Sequence, residues 1–213
     1  MRRHTQHVLA GLFVVVGFAP ITTLALSLIR VVPLHESVRW VVLPLIVLGT
    51  VTGARHPSVG RLALKGLLIG LMAVLLYDCT RLPFILTGVW GDFIPDIATH
   101  LFPDGSPNGL VGYTWRYLGN GGGMGVAFVV AHRTLAPRSN PWEYAVAYGV
   151  GIWLCLLATL ALIPNGVPPP FSITPFTLVM SFVGHVVYGG GLALGLSIDR
   201  NSQRPLPFGP SFS

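Results

Sequence analysis

Residues 119–125 read Gly-Asn-Gly-Gly-Gly-Met-Gly, five glycines in seven positions, inside a stretch from Leu110 to His132 whose one charged residue is Arg116. Lipid offers no water to an exposed backbone, so a glycine-rich, polar span is tolerated only where other protein covers it or it lines a cavity. The segment is therefore expected at the buried centre of the molecule.

The rest of the chain can supply the cover. Of 213 residues, 52% are hydrophobic and only 9% charged, where a soluble protein carries about 25% charged residues. Mean hydropathy is +0.69. This composition predicts a single all-α, polytopic membrane domain over residues 1–200 and a disordered cytoplasmic tail over 201–213, which is rich in proline and has no periodicity. The net charge of +6 is explained by loop arginines, and no nucleic-acid partner is implied. Cys79 and Cys155 fall in apolar segments without a spaced partner, so neither a disulfide framework nor a zinc motif is indicated.

A membrane-crossing helix needs about 20 mostly apolar residues. Six segments qualify, at about 7–29, 38–54, 62–82, 110–132, 143–163 and 175–198. The first is too long for the core of a cleaved signal peptide, which spans roughly 7 to 15 residues, and is expected to be retained. With the amino terminus inside, nine of the thirteen basic residues (Arg2, Arg3, Arg55, Arg61, Lys65, Arg133, Arg138, Arg200 and Arg204) lie on the cytoplasmic side, as the positive-inside rule requires. Both termini are thus expected in the cytoplasm, in a prokaryotic cytoplasmic membrane. The short second segment decides the count. If it did not cross, a five-helix chain with its amino terminus outside would score equally.

The outer connection between the third and fourth segments carries its own pattern. On a helix from Asp92 to Phe102, Asp92, Asp96, Thr99 and His100 share one side, and Phe93, Ile94, Ile97 and Leu101 the other. This predicts a short amphipathic helix at about 92–102, lying on the outer surface, with Asp92 as its cap.

Ionisable groups inside membrane segments are functional candidates because they are costly there. Asp78 and Arg81 lie one turn apart near the outer end of the third segment, and Arg116 enters the outer half of the fourth. Pairing of Asp78 with Arg81 or Arg116 is one expectation and a ligand role the other. Tyr113, Arg116, Tyr117 and Asn120 form a polar stripe on the fourth segment; Ser181, His185 and Tyr188 form one on the sixth. Such faces avoid lipid most economically by facing each other. The candidate ligand-binding residues are Asp78, Arg81, Tyr113, Arg116, Asn120, His185 and Tyr188.

Asp96 and His100, four residues apart, form a weak metal-ligand pair that His185 or Asp78 would complete. A haem would lack a second axial ligand opposite His185, and the cofactor is left open. The glycine run has three readings: close helix packing through Gly119/Gly123 and Gly121/Gly125, echoed by Gly191/Gly195; a broken helix whose amides face an anion; and a phosphate loop, which lacks the required lysine and hydroxyl.

These features point to an outward-facing polar pocket that binds or transports a small solute or ion. The alternatives are a membrane enzyme acting on a lipid or quinone at the outer headgroup level, using Asp92, Asp96 and His100, and an accessory subunit whose glycine faces bind partner membrane subunits.

Overall fold

The computed structural model describes residues 2–198, and the expected disordered tail lies outside them. Every described element is helical. In chain order these are α1 (Arg2–Leu28), α2 (Leu34–Arg55), α3 (Pro57–Leu86), α4 (Ile97–Leu101), α5 (109–135), α6 (Pro141–Ala161) and α7 (Pro175–Ile198).

Local chemistry sets most of the boundaries. At the end of α1, Arg30 takes φ 64° while the Val31 N–H returns to the Leu26 carbonyl, a left-handed helix stop. Proline opens α3, α6 and α7, where its missing N–H would have been unpaired in any case. Asn108 and Asn140 accept from the amides of Val111 and Trp142 at the starts of α5 and α6, as N-cap side chains do.

Five helices, α1, α2, α3, α6 and α7, are long and apolar enough to cross a membrane. The second segment, short by sequence, begins earlier than expected and forms one continuous helix of 22 residues. Large apolar side chains stand exposed on all five, among them Val15, Val47, Leu68, Leu154 and Val179. A face of that kind suits hydrocarbon rather than water.

The glycine-rich helix α5 is not among those five. It is instead the most enclosed element, with every residue from 120 to 130 buried. It packs against α3 on one side and α1 on the other. Gly66 and Gly70 of α3 lie against Gly121, Gly125 and Val126, and Gly17 of α1 lies against Gly123 and Ala127. A Cβ added at Gly66 would come within 2.7 Å of the Val126 Cα, so the backbones approach as closely as small-residue helix motifs permit.

One alternative reading of the glycine run is excluded, and two expectations need correction. The helix does not break at the glycines: α5 continues through them, and residues Trp115–Gly122 widen into a π-helix. The glycines therefore serve packing and expose no half-helix end. Of the two corrections, first, the fourth and sixth segments do not lie face to face along their length. Gly191 and Gly195 of α7 pack on Ala73 and Ile69 of α3, which also receives Gly121 and Gly125 of α5, so α3 is the shared partner. Second, the outer helix spans only Ile97–Leu101, and Asp96, not Asp92, precedes its first turn. Its apolar side does not rest on a lipid surface. Ile94 and Ile97 are buried with Leu24 and Leu34, so this connection packs over the C-terminal end of α1 and the N-terminal end of α2.

Candidate functional site

The buried charges lie where the C-terminal part of α3 meets the N-terminal part of α5. Arg116 Nε donates to both oxygens of Asp78 at 2.9 Å, and its Nη2 donates to Oδ1. Its guanidinium also lies over the Tyr77 ring, 4.7 Å from the centroid. One turn further along α3, Arg81 is only 1% exposed. Arg81 Nη2 donates to Asp92 at 3.1 Å, its Nε stands 3.9 Å from Asp78, and the Tyr113 hydroxyl donates to the other Asp92 oxygen at 2.9 Å. Burial of unpaired charge is costly, and here two arginines meet two aspartates in one chain of contacts. Asp92, expected to cap a helix, accepts from the Ile94 amide at 3.2 Å and is at the same time the counter-ion that the connection between α3 and α5 delivers to Arg81.

Beside this cluster lies a cavity of about 730 Å³, within the range of small-ligand sites. One wall comes from α1 (Phe18, Ile21, Leu24, Ala25) and the opposite wall from α6 (Ile152, Cys155, Leu156). The roof is Trp90, Phe93 and the stiff 167–171 segment, with Phe171 packed 5.3 Å from Phe93 and 6.0 Å from Trp90, centroid to centroid. Arg116, Asn120 and Gly121 of α5 and Ser181, His185 and Tyr188 of α7 form the floor. The cavity is thus apolar-walled with a polar floor, rather than polar throughout.

The π stretch helps to set this floor. A π turn closes each N–H on the carbonyl five residues back, so backbone acceptors near its junction with α-helix are available to side chains. Tyr188 uses one, donating to the Gly121 carbonyl at 2.7 Å, and Tyr148 donates to Met124 at 2.8 Å. The first contact joins α5 and α7 across the cavity floor. His185 is held by Ser181, whose carbonyl accepts from Nδ1 at 2.7 Å, and by an edge contact with Tyr77 at 5.3 Å.

The expected site residues therefore separate by position. Arg116, Asn120, His185 and Tyr188 reach the cavity; Asp78 stands one bond behind through Arg116; Arg81 and Tyr113 belong to the Asp92 network behind that. Asp96 and His100 lie at the cavity mouth near Arg30. His100 Nδ1 is 3.3 Å from the Ser27 hydroxyl. Burial and the neighbouring Arg30 push the His100 imidazole below its usual pKa, against a smaller opposing effect of Asp96. Among the described residues no three His, Cys, Asp or Glu side chains gather as a metal site would require. Sequence reasoning missed Tyr77, Trp90 and the walls from α1 and α6, whose apolar side chains differ in no visible way from lipid-facing ones.

No curated protein and no solved structure matches the chain. Residues 59–207 match a family model, a stretch that contains the charge cluster and the whole cavity floor, while α1 and α2 precede it. The match covers more than half of the sequence, and the chain belongs to that family, described as a family of unknown function (DUF6789).

Proposed function

We propose that this protein is a six-span integral membrane protein, with both termini cytoplasmic, that binds a small ligand in the outer half of the bilayer. In this reading α5 is the sixth span, admitted to the membrane because α1, α3 and α7 shield it. The observation that carries the proposal is the cavity itself, which gathers polar groups from α5 and α7 beneath apolar walls. Ionisable groups at such depth mark functional sites by default, and Arg116 and His185 converge on one cavity instead of scattering.

Binding is favoured over conduction. Below the floor, Ala127, Phe128, Val129 and Val130 are at most 1% exposed, and the Tyr188 contact closes the gap between α5 and α7. Movement of a solute inward would require those helices to separate, as alternating access does.

Native mass spectrometry of the protein, extracted in mild detergent, tests the reading. Wild type should carry a bound small molecule that Ala25→Trp, which fills the cavity from α1, loses. Equal adducts in both proteins, or none in wild type, would defeat it.

A further inference from the structure

The floor's hydrogen-bonding inventory says what kind of ligand it suits. The Ser181 carbonyl can only accept, so the short contact to His185 fixes a proton on Nδ1, and Nε2 of the neutral ring, on a side chain that lines the cavity, is left as a lone-pair acceptor. Among the described residues no side-chain or backbone donor reaches that nitrogen. Asn120 Oδ1 is likewise buried without a donor. Nearby hydroxyls are engaged elsewhere: Tyr188 donates to Gly121, and Ser181 donates to the Leu178 carbonyl while accepting from Trp153 Nε1.

Charge narrows the class further. Arg116 is matched by Asp78, and Arg81 by Asp92, so the floor has no surplus sign with which to neutralise an ion. A buried anion or cation would remain uncompensated at considerable cost. The walls then set the other end of the molecule. Phe18, Ile21, Ile152 and Leu156 present apolar surface from α1 and α6, two helices that touch only weakly, so the cavity runs out between them.

We infer that the occupant is an uncharged, single-chain amphiphile whose hydroxyl sits at His185 and whose hydrocarbon chain leaves between α1 and α6. A hydroxyl donates to Nε2 and can also accept from an amide or guanidinium N–H at the same floor. An ether or ester oxygen only accepts, and would leave Nε2 unpaired. The inference deepens the ligand-binding proposal and depends on it.

Cys155 lines the cavity and is exposed, which supplies a reporter. In the full-length Cys79→Ala protein in detergent, the rate of Cys155 alkylation by N-ethylmaleimide would be followed against 1-dodecanol, dodecyl methyl ether, dodecanoate and dodecylammonium. Dodecanol is expected to protect Cys155 at concentrations about tenfold lower than the other three, which corresponds to about 1.4 kcal/mol. His185→Leu should bring the alcohol level with its ether. The comparison of alcohol with ether in the His185 protein stands even where that variant fails to fold. Protection by dodecanoate or dodecylammonium at lower concentration than by dodecanol, or equal protection by alcohol and ether, overturns the hydroxyl inference while leaving a ligand pocket in place. If none of the four protects, the pocket proposal falls with it.

Discussion

Asp78 stands between two guanidinium groups, and its replacement by asparagine should be the most damaging single change in the charge cluster. The side chains of Asp78, Arg81 and Arg116 are 13%, 2% and 12% exposed, so solvent screens them little. Asp78→Asn preserves shape but leaves Arg116 without a carboxylate and Arg81 with Asp92 alone. Removing one partner of a buried pair costs about 3–5 kcal/mol. Arg116→Met is milder, because the Asp78 left behind still has Arg81 Nε at 3.9 Å. For a chain of this size 1 kcal/mol moves the melting temperature by about 2–4 °C. Asp78→Asn should therefore lower it by about 10 °C, and Arg116→Met by roughly half as much. The double variant removes one charge of each sign and should lose less than the two singles together. Thermal unfolding in detergent, followed by tryptophan fluorescence with circular dichroism for helix content, measures all three. Equal or larger loss in Arg116→Met, or strict additivity in the double variant, would refute the shared-counter-ion account.

Glycine substitutions should divide by sign. Gly70→Ala drives a methyl group into the Gly121 carbonyl and to 2.9 Å from the Gly125 Cα, and should destabilise by about 1–3 kcal/mol; Gly11→Ala, with nothing within 4 Å, should gain about 0.5–1 kcal/mol, both read from melting curves. The third prediction concerns pH. The folded protein holds His100 below its usual pKa of about 6.5, so the unfolded chain takes up the proton first as pH falls. Stability should be complete above about pH 6.5 and decline below it, with the decline reduced in His100→Gln; an unchanged acid slope in that variant would assign the effect elsewhere.

Much of this architecture is legible in the sequence because hydropathy and charge act locally. The apolar helices, the burial of residues 120–125 and the pairing of Asp78 with Arg116 follow from the cost of leaving polar atoms in lipid. Partner choice does not. Small residues four apart announce close contact without naming the other helix: Gly66 and Gly70 of α3 meet Gly121 and Gly125, while the α7 glycines pack on α3 and on Ala145 of α6. The π stretch is equally hidden, since a switch from four-residue to five-residue hydrogen bonding leaves the pattern of apolar residues nearly unchanged. Asp92 reads as a helix cap at short range, and only the fold shows that it also pairs with Arg81, eleven positions earlier. Nor does anything in α1 or α6 separate cavity walls from lipid-facing surface.

The proposed function has one central requirement: the floor at His185 communicates with the outer side of the membrane and is sealed from the inner side. A single cysteine at that position, His185→Cys in the Cys79→Ala/Cys155→Ala background, can be exposed to a small membrane-impermeant methanethiosulfonate in right-side-out and inside-out vesicles. Modification from the outer face, with none from the inner face until the protein is denatured, is the predicted result. Reaction from the inner face, or from neither, would contradict the account.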